Sequence, residues 1–82
     1  FNPELNAIVT LDVERARQAA RAAETRLLRG EDLGPLGGVP CVVKDLEDVG
    51  GMRTTFGSLL FADHVAAQDS INVVRLRAAG AY

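Results

Sequence analysis

At 82 residues the chain is at most one small domain with a marginal core, and its 48% apolar content suits a globular protein. A net charge of -2 at pH 7 offers no electrostatic footprint for nucleic acid or an anionic membrane surface, and no apolar run approaches the roughly 20 residues of a membrane span. The single cysteine, Cys41, excludes an internal disulfide framework and fits a reducing, cytoplasmic compartment, while one cysteine and one histidine, His64, are too few for a conventional zinc site.

In chain order, a strand is expected over 5–11, because Ala7-Ile8-Val9-Thr10-Leu11 is apolar and β-branched. Asp12 then reads as a helix N-cap, with Glu14 in the first turn, where the helix dipole favours a carboxylate. The helix is expected over 13–29. Val13, Ala16, Ala20, Ala23 and Leu27 form one apolar stripe at helical spacing. That stripe is mostly alanine, so its partner must approach closely. The arginines on this helix alternate with Glu14 and Glu24 and read as a solvated face. Gly30 is the stop signal.

Glycines and Pro35 punctuate a loop over 31–38. Val39 to Val43, reaching Lys44, is a continuous apolar run. It reads as a strand over 39–44 covered on both faces, with Pro40 near its start. Residues 45–68 have no clean period and form a loop, which Phe56, Leu59, Leu60 and Phe61 would pin to the body. A second helix is expected over 69–79, with Gly80 as its stop, and Ala81-Tyr82 resembles the opening of another strand. Strand, crossover helix and strand make a βαβ unit. The expected class is therefore α/β: the N-terminal portion of a larger mixed-sheet α/β/α fold, cut after its first βα unit. The absence of an initiating methionine at Phe1 fits a chain whose natural start lies upstream.

Lys44 is the candidate for chemistry. Eight of the nine basic residues are arginine, and Lys44 is the ninth, at the mouth of the apolar run. A guanidinium stays protonated, whereas a desolvated ammonium can release its proton near neutral pH. The residues alone leave a second reading open, in which Lys44 ends a strand and pairs with Asp45. A phosphate loop fails, because Val43 precedes the lysine and Asp45 follows it where Gly and Ser or Thr are needed. Cys41 lies inside the apolar run and reads as a buried, inert thiol. His64 reads as exposed. Asp45, Glu47 and Asp48 read as a solvated strand end.

The stretch Gly34-Pro35-Leu36-Gly37-Gly38-Val39-Pro40-Cys41-Val42-Val43-Lys44-Asp45 resembles the lysine-bearing segment of the amidase signature family. Three further segments resemble it in the same order. They are Leu5-Asn6-Ala7-Ile8-Val9, the Thr-Thr loop Gly51-Met52-Arg53-Thr54-Thr55-Phe56-Gly57-Ser58, and the helix from Asp69 to Gly80. Gly37 departs from the commoner pattern, where a larger residue is frequent, and is expected to loosen the loop entering the strand. Glu47 is a second departure.

The resemblance implies a serine hydrolase with a Ser–cis-Ser–Lys triad, in which Lys44 is the general base. A neutral lysine accepts a proton from a bridging serine, which in turn deprotonates the nucleophilic serine attacking an amide carbonyl. An acyl-enzyme follows. Burial at the end of an apolar strand would favour the neutral lysine, and alternation along the strand would point Asp45 to the other face. Both serines belong to a later segment of the family, and neither Ser58 nor Ser70 matches that motif. The 82 residues alone are expected to be inactive. No cofactor and no metal are implied, and the expected partner is a small-molecule amide. Nucleic acid and membrane are not expected partners, and a homodimer is compatible. The alternative within the same chemistry is the glutaminase subunit of a tRNA-dependent amidotransferase, with its partner subunits. A non-catalytic α/β segment is the alternative of another class.

Overall fold

A computed structural model describes residues 1–82. Its first element is helical: α1 spans Asn2–Leu5, with Pro3 in the first turn, where its fixed φ suits a helix start. Asn6 ends α1 in the left-handed region (φ 48°). The Asn2 side chain donates from Nδ2 to the Ile8 carbonyl (3.0 Å) and accepts from the Ile8 N–H (2.8 Å). These bonds curl residues 2–8 on themselves and replace the strand expected over 5–11. No neighbouring strand competes for the same groups, and Ile8 and Val9 stay exposed.

Helix α2 spans Val13–Leu28. The Asp12 carboxylate caps it by accepting from the Arg15 N–H (3.0 Å), and Gly30 at φ 76° follows its end. No residue of α2 is buried, so the alanine stripe lacks its close partner within these residues. Arg15 is not a solvated arginine. Its guanidinium donates to the carbonyls of Gly50 (2.9 Å) and Gly51 (3.3 Å) while pairing with Asp12 (3.2 Å), and so ties the start of α2 to the Gly-Gly turn.

Helix α3 spans Ile71–Ala78 and starts at Ser70, whose hydroxyl accepts from the Val73 N–H. Val73 is one of only four buried residues, with Thr54, Ala66 and Ala81. The far end of α3 packs on the glycine loop. The Leu36 N–H donates to the Ala79 carbonyl (2.8 Å). A Cβ on Gly80 (φ 97°) would overlap the Leu33 carbonyl, and one on Gly34 would stand 2.7 Å from the Ala79 oxygen. Gly37 does not loosen this loop, because a Cβ there would lie 2.4 Å from the Leu33 Cβ. The turn is tight and excludes the larger residue.

Residues 39–44 run extended but do not form a regular strand. Their one ladder contact is with the chain's last residue. The Tyr82 N–H donates to the Val39 carbonyl (3.1 Å), and the Cys41 N–H donates to the Tyr82 carbonyl (2.7 Å). One residue bonded to both flanks of another is the parallel pattern, with Tyr82 opposite Pro40. The missing Pro40 N–H faces away from Tyr82 and costs no bond there. The expected covering of both faces is absent: Val42 is 90% exposed, and Cys41 is exposed rather than buried.

Residues 51–66 close on themselves through an antiparallel bridge between Arg53 and Val65. The Thr54 N–H donates to the His64 carbonyl (3.1 Å), and the Ala66 N–H to Met52 (3.1 Å). A 3-10 turn at Leu59–Phe61 lies inside this loop, with the Ser58 hydroxyl as its cap. Phe56 and Phe61 pack edge to face, 5.2 Å between ring centroids. Leu59 and Leu60 do not pin the loop, being more than 90% exposed. No helix is long and apolar enough to cross a membrane.

Four buried residues cannot offset the ordering entropy of 82. The isolated 82-residue polypeptide should therefore melt as a broad, weakly cooperative transition by circular dichroism. A sharp transition at high temperature would contradict this.

Candidate active site

Lys44 stands where the extended run turns. Its carbonyl accepts from the Glu47 N–H (3.0 Å), closing a turn over residues 44–47. The side chain is exposed, and no ion pair includes it. These residues therefore do not supply the burial expected at this position. The reason is the same one that leaves Val42 bare: nothing within the chain covers the 39–44 segment.

Asp45 does not pair with Lys44. Its carboxylate accepts from the Thr55 N–H (2.8 Å) and from the Thr55 hydroxyl. Thr55 opens a tight turn in which the Ser58 N–H donates to the Thr55 carbonyl (2.9 Å). Both central residues have positive φ, Phe56 at 54° and Gly57 at 67°, as a type I′ turn requires. Gly57 adopts this freely, but Phe56 is strained there. Asp45 on one side and the Phe61 and His64 rings on the other hold it in place.

The next two acids are also engaged. Glu47 accepts from the Asn72 amide at the start of α3 (3.1 Å). Asp48 faces His64 Nε2 (3.4 Å), and its carbonyl accepts from the Ser70 N–H (2.8 Å). His64 is half-buried beside Phe56 and Phe61 (5.7 and 6.1 Å between centroids), not free in a polar loop. The three acids read as a solvated strand end are therefore three anchors.

Two cavities flank this region. One of about 470 Å³ lies between α2 and the 31–38 loop and ends at Tyr82. Another, of about 250 Å³, is bounded by Val9, Arg53, Thr55, Gly57 and Ser58, on the turn that Asp45 anchors. Lys44 lines neither, so the larger cavity is not where the candidate chemistry lies. No group of three His, Cys, Asp or Glu side chains converges. Ser58 and Ser70 are occupied as helix caps, and neither belongs to the Lys44 turn.

The sequence singles out Lys44 only as a candidate, and Thr55 as the partner of Asp45 escapes it. The signal the sequence carries is Gly57, whose access to positive φ marks a turn close to Thr55.

The Thr55 hydroxyl, and then its amide, hold the Asp45 carboxyl below its ordinary value of 3.8, with help from the Gly57 N–H and the Arg53 charge and against partial burial. The folded chain thus binds the carboxylate form, and the stabilisation is complete above pH 3.8 and lost as pH falls through the lower folded value. The Asp45 side-chain carbon resonance should titrate with a midpoint below 3.8. A midpoint at or above that value would remove the clamp.

Comparison with known proteins fits this geometry to a family. The amidase family profile matches residues 1–82. The acylamidase of Rhodococcus erythropolis is 46% identical over 79 residues, covering 96% of this chain and 17% of that protein. One component of the glutamyl-tRNA(Gln) amidotransferase of Azoarcus sp. (strain BH72) is 49% identical over 80 residues, covering 98% of this chain and 16% of that protein. A solved structure superposes with a TM-score of 0.89 at 43% identity, over 98% of this chain and 18% of that one. It was described as an unexpected vestigial protein complex that reveals the evolutionary origins of an s-triazine catabolic enzyme. The chain thus spans less than a fifth of the length of the relatives it matches. It belongs to the amidase signature family, and its fold is a piece of that larger α/β structure.

Proposed function

We propose that the chain is the N-terminal part of an amidase-type hydrolase that cleaves carboxylic amide C–N bonds, with Lys44 as its general base. The observation that carries this reading is the sole lysine, at the turn that ends the family's Gly-Val-Pro segment, with the three acids nearest after it, Asp45, Glu47 and Asp48, bonded elsewhere. In this reading the remaining polypeptide supplies two serines and the covering surface. The exposed run around Val42 is apolar and has room for such a cover. Under that cover an ammonium is disfavoured, and a neutral lysine can take a proton from the bridging serine. The nucleophilic serine then attacks the amide carbonyl, the amine leaves, and water releases the acyl group. The substrate is a small-molecule amide, and no cofactor takes part.

A second reading has its own support. Several relatives at 41–49% identity are components of glutamyl-tRNA(Gln) amidotransferases. A glutaminase of that kind would use the same lysine chemistry on glutamine, with partner subunits. The discriminator is whether turnover needs charged tRNA and a second polypeptide.

The test is Lys44→Arg in the full-length protein. Arginine keeps the charge and cannot accept the proton. Turnover should fall by a factor on the order of a thousand or more, as for loss of a member of a catalytic triad, with the melting temperature nearly unchanged. Near wild-type turnover would exclude Lys44 as the base.

A further inference from the structure

The three carboxylates closest to Lys44 in sequence are each held by another group: Asp45 by Thr55, Glu47 by Asn72 and Asp48 by His64. Asp45 is adjacent to the lysine and would be its natural ion partner. A free carboxylate beside an ammonium favours the protonated form, which would disable a base. Thr55 occupies that carboxylate with two donors.

The Asp45 bonds also fix where Lys44 stands. They join the 44–47 turn to the Thr55–Ser58 turn, whose neighbour Thr54 is buried. Phe56 then carries the connection to Phe61 and His64, and Asp48 carries it to the N-terminus of α3. A left-handed Phe56 persists only where its surroundings over-determine it. The charged groups around Asp45 are Lys44 before it, Glu47 and Asp48 after it, and Arg53 on the facing loop. Arg53 donates to the Val9 carbonyl (3.1 Å).

We propose that Asp45, clamped by Thr55, is a positioning residue for Lys44: it anchors the turn that presents the lysine, and the clamp keeps its carboxylate from pairing with the lysine. This rests on the reading of Lys44 as the general base.

The experiment uses the full-length protein and a small amide substrate, with Lys44→Arg as the control. Thr55→Val keeps the shape of the side chain and removes the hydroxyl donor. It should lower kcat by roughly ten- to a hundredfold, the cost of a misplaced catalytic group. KM should stay within about twofold. The acid limb of the kcat/KM profile should move to higher pH, because the released carboxylate holds Lys44 protonated. Thr55→Ser restores the donor and should restore both quantities. Wild-type kcat with an unmoved acid limb in Thr55→Val would overturn the proposal, as would a Thr55→Ser enzyme equally impaired. Should Thr55→Val fail to fold, Asp45→Asn gives the second readout: it keeps an acceptor oxygen but loses the charge. Its kcat should fall without an upward shift of the acid limb, and wild-type kcat would overturn the proposal. An active Lys44→Arg enzyme removes the base reading itself. An inactive Lys44→Arg enzyme beside an unaffected Thr55→Val enzyme removes only the positioning role.

Discussion

The Asp45 carboxylate joins two turns of the chain directly. One is the 44–47 turn that carries Lys44. The other is the Thr55–Ser58 turn, with a phenylalanine in a backbone region it avoids. In a chain with four buried residues, hydrophobic burial cannot fix such a corner. Hydrogen bonds to ionised groups are the stronger ones available, and they recur at several places where distant segments meet. Arg15 joins α2 to Gly50 and Gly51, Asp69 accepts from the Gly50 N–H (2.7 Å), and Arg53 joins the loop to Val9. The polar network holds the loops in place, and the apolar surface is left outward.

That outward surface accounts for the difference between pattern and structure. Local signals were sufficient for α2 and α3. Asp12 and Ser70 cap α2 and α3 with their own side chains, and Gly30 and Gly80 follow in the left-handed region. Such caps act within one turn and need no partner. Strands do need one. The run at 39–44 has the composition of a buried parallel strand, yet its only pairing is two bonds to Tyr82. The segment at 5–11 fails more completely, because Pro3 and Asn2 draw it into α1 and a side-chain-locked loop. Apolar β-branched composition states what a segment would do beside a sheet, and these residues contain no sheet.

The site divides along the same line. Lys44 as a candidate was legible from its rarity and its place after the Gly-Val-Pro run. Its exposure was not, because burial depends on what covers the segment. The role of Asp45 was hidden because Thr55 is ten residues away, with no periodic relation to it. Cys41 reads as buried for the same reason as the strand, and it is exposed for the same reason the strand is unpaired. Gly37 shows the opposite case. Its departure from the commoner residue reads as a looseness, but its backbone sits against Leu33 with no room for a side chain.

In the proposed reading, the turn after the apolar run delivers Lys44 to a hydroxyl supplied by the rest of the polypeptide. A crystal structure of the full-length protein tests it most directly, through the environment of the Lys44 Nζ atom. Nζ should lie about 2.6–3.2 Å from a serine Oγ, the reach of a working general base, with Asp45 still bonded to Thr55. A Lys44 side chain that remains in solvent, or one paired with Asp45, would contradict it.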